Sequence, residues 1–404
     1  MSSSQRTRLS VGDRLQVSIE KVAHGGHFIA RYQSAVIFVR HAIPGEEVII
    51  EVTSTGSSFN RGEVVEVLIA SPDRVRAPCS FAHRSGCGGC DFQHITPARQ
   101  RSLKADVMIE QFARIASMKI EVEVEEVGES LGWRTRFSGV TSHKGELGFF
   151  AARSHTVVPV DNCLILLPDL NYQDLSARTW TPDQRVEVSA SSQGERVVAI
   201  ADTRAIGPSR IIEGVDISHE VIDRKVLEVS QKSFWQSHKD APRVLTQAVR
   251  AYAGVKLGDR ILDLYGGVGL FTADLIDLVG PTGAIDLVEG AKSATANASQ
   301  NFRSYPNVKI HTGDVVHLIK RFATADVVIL DPPREGAGKG VLTGISALAP
   351  RAIIYVACDP AALARDTTYL ASLGYELSAL RSFDLFPMTH HIESIALYVP
   401  TKVS

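Results

Sequence analysis

No stretch of this chain stays apolar for the roughly 20 residues that a membrane-crossing helix needs. Met1-Ser2-Ser3-Ser4-Gln5-Arg6 likewise lacks the apolar core of an export signal. A cytoplasmic location with no membrane partner is expected. Cysteine is scarce, with five in 404 residues. Without export, that count excludes a disulfide scaffold and leaves metal binding or catalysis. An excess of basic charge is also missing: 43 Lys and Arg stand against 45 Asp and Glu, for a net charge of −2. Any nucleic-acid surface must then be local and offset by acids elsewhere. What is present is the composition of a globular protein, at a length that requires two or three domains.

Residues 9–69 read as a small all-β unit. Leu15-Gln16-Val17-Ser18-Ile19, Ala35-Val36-Ile37-Phe38-Val39, Glu47-Val48-Ile49-Ile50-Glu51-Val52 and Gly62-Glu63-Val64-Val65-Glu66-Val67 are strand candidates. Gly25-Gly26, Pro44-Gly45 and Ser54-Thr55-Gly56-Ser57-Ser58 punctuate them. Several short strands in so little chain predict a small closed barrel, OB-like or SH3-like.

Cys79 is followed by Cys87-Gly88-Gly89-Cys90, and Cys163 is the one other cysteine away from a strand end. The glycines permit a tight turn, so both thiolates of the Cys-x2-Cys can face one centre. Four thiolates suit zinc or an iron–sulfur cluster equally well by count; a redox pair would leave Cys79 and Cys163 idle. Residues 97–117 carry helical periodicity. Trp133-Arg134-Thr135-Arg136-Phe137-Ser138-Gly139-Val140 alternates like a strand with Arg134 and Arg136 on one face, either solvated or set for phosphate contact. Residues 170–235 alternate as strands without a chemical signal for most of their length.

From about residue 240 strands and helices alternate, the pattern of a doubly wound parallel sheet. Arg260-Ile261-Leu262-Asp263-Leu264 runs into Tyr265-Gly266-Gly267-Val268-Gly269. Later strands end in Glu289, in Asp314, in Asp331-Pro332-Pro333-Arg334 and in Cys358-Asp359-Pro360. Phe383-Asp384-Leu385-Phe386-Pro387 and Ser394-Ile395-Ala396-Leu397-Tyr398-Val399 read as a closing pair. Acids at strand ends with such a pair suit methyl transfer better than a dehydrogenase, which would more usually carry Gly-x-Gly-x-x-Gly where Thr272 stands. Ligands bind beyond the carboxyl ends of such strands, where Cys358 is placed. Alone, Cys358 reads as an inert core thiol.

Taken together, Phe234-Trp235-Gln236, Asp263-Leu264-Tyr265-Gly266-Gly267-Val268-Gly269, Asp331-Pro332-Pro333-Arg334, Tyr355-Val356-Ala357-Cys358-Asp359-Pro360 and His391-Ile392-Glu393 resemble the RNA (uracil-5-)methyltransferase family. With the four cysteines, the resemblance is to its iron–sulfur-containing branch, which acts on 23S ribosomal RNA. Gly25-Gly26-His27, Phe38-Val39 and Ile43-Pro44-Gly45-Glu46-Glu47 resemble the TRAM module of RNA-modifying enzymes. The resemblance implies a class I, Rossmann-like S-adenosylmethionine-dependent methyltransferase domain at 240–404. It also implies a TRAM-like RNA-binding barrel at 1–72 and a central α+β iron–sulfur domain at 73–239. Cys358 would be the nucleophile and Glu393 the proton acceptor. Gln236, Tyr265, Glu289, Asp314 and Asp331 would line the S-adenosylmethionine site, and Cys79, Cys87, Cys90 and Cys163 would hold a [4Fe-4S] cluster. A monomer acting on single-stranded or loop RNA is expected.

The alternatives are a transfer-RNA enzyme, whose branch typically lacks the barrel and the cluster, and a non-catalytic RNA-binding protein, against which Cys358 and Glu393 argue. Three features depart from the family. The gap between Cys79 and Cys87 is seven residues where five is usual, Asp359 stands where Asn is common, and Leu270 replaces a polar donor-site residue of some members.

The chemistry explains the residue types. C5 of uracil is a weak nucleophile until a thiolate adds to C6 and turns the ring into an enolate. A base must then remove the C5 proton before the thiolate leaves, and a carboxylate beside the ring can do so. Asp331 could bond either the uracil edge or the methyl donor.

Overall fold

The computed structural model describes residues 9–203 and 209–402. Five strands, Arg14–Ala23, His27–Tyr32, Ala35–Arg40, Glu47–Ser54 and Asn60–Ile69, close into a barrel, sealed by the parallel pairing of the third with the fifth. Alternation drives it: Leu15, Val17 and Ile19 point inward between exposed neighbours and meet Phe28, Ile37, Val48 and Ile50 in one core. His27–Tyr32 is a strand beyond the four expected. A bulge between Ile19 and Lys21 breaks the alternation, so Val22 and Ala23 are both buried before the chain turns through His24-Gly25-Gly26.

The middle of the chain carries a six-stranded antiparallel sheet in the order Arg210–Glu213, Arg196–Asp202, Gln184–Ala190, Arg136–Thr141, Leu147–Phe150, Val157–Pro159. The strand expected from Trp133 begins at Arg136. Trp133 and Arg134 instead bond the backbone of Ile165, and Thr135 that of Ser237. The expected helix is present as Pro97–Gln111, continued by a π-helical turn at Phe112–Ala116.

The third unit is an eight-stranded sheet in the order Val308–Thr312, Ala284–Glu289, Arg260–Leu264, Val327–Leu330, Ala352–Ala357, Glu393–Pro400, Tyr375–Asp384, Val124–Glu126. The first five strands are parallel, and Glu393–Pro400 runs antiparallel to both of its neighbours. Val327–Leu330 and Ala352–Ala357 are buried at every position, as strands covered on both faces must be. The closing strand spans Tyr375–Asp384, earlier than the expected Phe383 start; its Glu376 and Arg381 mask the apolar pattern.

The last strand of this sheet comes from the middle of the chain. Val124–Glu126 pairs in parallel with Tyr375–Asp384, and Met108 and Phe112 of the preceding helix belong to the core under one sheet face. Leu103, on the same helix, packs into the barrel core. One helix therefore joins the barrel to the C-terminal sheet. No helix among the described residues is long and apolar enough to cross a membrane.

Candidate active site

The sheet brings the strand-end residues to one rim. Tyr265 follows Arg260–Leu264, Glu289 ends its strand, Asp331 follows Val327–Leu330 and Cys358 follows Ala352–Ala357. The last strand runs the other way, so its first residue, Glu393, reaches the same rim, with Ser394 paired to Ala357. Asp366, fully buried, holds the loop after Asp331 by accepting from the backbone of Ala337 and Gly338 and from the Tyr355 hydroxyl.

Two carboxyls and a thiol crowd this rim. Burial pushes the Asp331 carboxyl up to about 7, aided by the charge of Asp263. Glu393, 5% exposed, is raised well above the usual carboxylate range by burial and by Asp331, with Arg334 pulling the other way. Burial, then Glu393 and Asp331, push the Cys358 thiol up to about 12, and Arg334 is the cation that opposes them. The charges of Asp331 and Arg334 thus bear on both the Cys358 thiol and the Glu393 carboxyl.

Cys358 opens into a cavity of about 120 Å³ that Arg334, His390, His391 and the barrel residues His24 and Gly25 also line. His390 Nδ1 lies 2.6 Å from Asp91. His391 is driven down to about 3 by burial, by His390 and by Arg334, so it is neutral.

On the donor side, Glu289 accepts from the backbone N–H of Gly267 at 3.1 Å and of Ala291 at 2.6 Å, which shapes the glycine turn. Asp263, buried, accepts from the hydroxyl and the N–H of Thr272 and anchors the helix that follows. A Cβ on Gly269 would lie 2.2 Å from the Phe302 ring, whereas Gly267, at φ +56°, faces open space. The turn therefore packs on one side and presents bare backbone on the other. Tyr265, at φ +58°, flanks that opening. Asp314 is exposed and caps its helix by accepting from Val316 N–H. Gln236 is buried outside this row of strand ends, in the segment before the helix Ala241–Ala253.

The four remaining cysteines line one cavity of about 180 Å³. Gly88 allows their loop to press on the sheet: a Cβ there would lie 2.7 Å from the Ala152 nitrogen. Burial raises the thiols of Cys90 and Cys163 to about 12, and the neighbouring cysteines add to it. Among the described residues, no three His, Cys, Asp or Glu side chains gather where one metal ion could be held.

Arg134 and Arg136 are half-buried, and both border an open groove of about 600 Å³ that Lys232, Gln231 and Glu187 also line. Arg136 donates to the carbonyls of Ser233 and Trp235, Arg134 donates to Arg136 O, and Arg134 borders the cysteine cavity. Part of each guanidinium's donor capacity is therefore spent on cross-linking the chain, rather than standing free on a strand face. Alternation alone does not tell an exposed face from one covered by a later segment.

Comparison with known proteins bears on this geometry. The TRAM domain family matches residues 8–65, and the family described as tRNA (uracil-5-)-methyltransferase matches residues 284–399. An uncharacterised RNA methyltransferase of Streptomyces avermitilis is 38% identical, over 96% of this chain and 99% of its own length. The chain belongs to the RNA (uracil-5-)methyltransferase family. Family members are S-adenosylmethionine-dependent enzymes that act on RNA, and this chain is one. An uncharacterised RNA methyltransferase of Corynebacterium efficiens is 33% identical over 96% of each chain. The fold is that of the Pyrococcus abyssi tRNA (uracil-54, C5)-methyltransferase, solved with S-adenosyl-L-homocysteine, at TM-score 0.72 and 21% identity. That match covers 95% of this chain and 99% of the other. Possession of the barrel therefore does not separate enzymes of this family that act on transfer RNA from those that act on ribosomal RNA.

Sequence reasoning left Arg334, Asp91, Lys104 and His24 without roles. Arg334 was within reach, as a cation three positions after a strand-end acid. The other three take their places through contacts with distant segments that no local pattern announces.

Proposed function

We propose that this family member methylates C5 of a uridine in 23S ribosomal RNA, with Cys358 as nucleophile and Glu393 as base. The observation that carries the reading is the meeting of Cys358, Glu393 and Asp331 at one sheet rim beside a glycine turn with open backbone. Cys358 Sγ adds to C6, and the charge it delivers makes C5 nucleophilic. S-adenosylmethionine supplies the methyl group that C5 takes. Glu393 then accepts the C5 proton, and the C6–S bond breaks to restore the aromatic ring and the thiolate. A raised carboxyl makes a stronger base near neutral pH, which suits this step. His391, held neutral and far below the usual histidine range, is a poor proton acceptor, and Asp91 engages His390.

Glu289 and Tyr265 fit the donor site, because the backbone between them is open and Glu289 retains lone pairs beyond its two amide contacts. Asp331 would bond the uracil edge or the donor, Gln236 would close the donor site from the segment before its helix, and Asp314 would join it by leaving its capping role. Four thiols line the cysteine cavity, the donor set that an iron–sulfur cluster takes. Cys79, Cys87, Cys90 and Cys163 would hold a [4Fe-4S] cluster there, with a structural role.

Mapping 5-methyluridine in total RNA from cells lacking the protein tests the target. Loss of one 23S site supports the reading, and loss of a transfer-RNA site moves the substrate. A Cys358→Ala variant that still forms a denaturation-resistant adduct with RNA carrying 5-fluorouridine would displace the nucleophile.

A further inference from the structure

The barrel does not hang from the enzyme as a separate RNA hook; it meets the nucleophile's cavity at three points. His24 Nε2 lies 3.0 Å from Asp359 Oδ2. Gly26, at φ +76°, packs so closely that a Cβ there would be 2.9 Å from His390 Nδ1 and 3.0 Å from the Asp91 carboxyl carbon. Arg40 Nη2 lies 3.5 Å from Asp91, which bonds His390. The first two contacts come from the turn that follows the bulge in the first strand.

Asp359 links this seating to the chemistry. Its other oxygen, Oδ1, accepts from Ala362 N–H at 2.8 Å and caps the helix Pro360–Ser372. Burial would raise this carboxyl, but the His24 hydrogen bond and the helix N–H groups outweigh it and hold it below the usual range. The carboxylate is thus fixed at both ends, by the helix on one side and by the barrel on the other. Cys358 is the residue immediately before it, in the same cavity as His24. A side chain with only the helix contact would leave the Cys358 loop one restraint short.

We propose that His24 of the barrel is a positioning residue for Cys358, acting through Asp359, and that the barrel turn is one wall of the pocket that receives the target base. This rests on the reading of Cys358 as nucleophile. RNA bound by the barrel is then bound against the reacting group, and the nucleophile is set in place only while the barrel is seated. Chemical geometry is sensitive to such restraints: small misplacements of a reacting group cost orders of magnitude in rate.

The test uses the full chain and 23S ribosomal RNA transcribed with 5-fluorouridine in place of uridine. Adduct formation is followed in a single turnover as RNA concentration is varied. His24→Ala should lower the maximal rate about tenfold, the loss of one charge-assisted hydrogen bond, while half-saturation moves less than twofold. His24→Gln, whose amide can still donate to Asp359, should restore most of the rate. Asp359→Ala, which also removes the helix cap, should lose at least as much rate as His24→Ala, and the double variant should be no slower than Asp359→Ala alone, because His24 acts only through Asp359. A second readout does not depend on the reaction: peptide mass spectrometry of iodoacetamide labelling should show Cys358 reacting at least threefold faster in all three alanine variants, with the double variant equal to Asp359→Ala.

His24→Ala that raises half-saturation at an unchanged maximal rate would make His24 an RNA contact and overturn the proposal. Additive losses in the double variant, or labelling equal to wild type, would also overturn it. An adduct that survives Cys358→Ala would instead sink the nucleophile assignment, and the labelling result would still decide the His24–Asp359 link.

Discussion

Lys104→Met should destabilise the C-terminal domain by about 3–5 kcal/mol, the usual cost of leaving one member of a buried ion pair alone. Lys104 is 2% exposed and its Nζ lies 2.6 Å from Asp384 Oδ1 and 3.1 Å from Phe386 O. Asp384 is 3% exposed, so the variant strands a carboxylate where water cannot reach it. Methionine keeps the length of the side chain, which isolates the charge from the packing. The same helix bonds the loop again through Gln100, which accepts from Met388 N–H at 2.8 Å. This loop leads to His390, His391 and Glu393, so damage to the anchor reaches the site. Calorimetry of the full chain is the assay, with the C-terminal transition identified by its upward move on adding S-adenosylhomocysteine. For a domain of this size the loss corresponds to a fall in Tm of roughly 6–20 °C. Adding Asp384→Asn to Lys104→Met removes the stranded charge and should return about 2 kcal/mol. A loss below about 1 kcal/mol in the single variant, or a double variant less stable than the single, would refute the reasoning.

Glu393→Gln should accumulate a covalent, already methylated adduct on ordinary uridine RNA, detectable by mass spectrometry; no adduct at all would place Glu393 before the addition step. Because burial and Asp331 raise Glu393, breakdown of that adduct in the wild type should speed up as pH rises through a midpoint above the usual carboxylate range. Asp331→Asn removes the neighbouring charge, so the midpoint should fall, and stopped-flow quenching across pH checks the direction. Protein purified without oxygen should be brown with about four irons per chain, and stoichiometric zinc without visible absorption would replace the cluster by a single ion.

The parts of this fold that could be read from sequence are those whose meaning is local. Strands such as Val327–Leu330 announce themselves because every side chain must be apolar, and an acid directly after one lies at the rim wherever the strand falls in the sheet. Glu393 came only from the resemblance; it reaches the rim because the closing strand runs antiparallel and begins where the parallel ones end. Cys79, Cys87, Cys90 and Cys163 could be grouped by exclusion, since only Cys358 had another explanation. Readings failed where the partner is distant. The internal bonds of Arg136 went unseen because its acceptors, the carbonyls of Ser233 and Trp235, lie about 100 positions on. The strand Val124–Glu126 has three residues and no pattern, and only the edge of a finished sheet gives it one. His24 and Asp359 are ordinary polar residues of a turn and a helix cap until the barrel is docked.

That edge strand has a consequence for how the chain is made. Glu125 is held by Arg381 through two hydrogen bonds of 2.7 and 2.8 Å, between residues 256 positions apart. At synthesis rates of about 5–20 residues per second, the partner emerges roughly 13–50 s after its mate. During that interval the barrel has its whole sequence in hand, but Met108 and Phe112 wait uncovered on the helix beside it. A nascent chain in that interval therefore carries the strands of the barrel while the strands Tyr375–Asp384 and Glu393–Pro400, which complete the C-terminal sheet, are still missing.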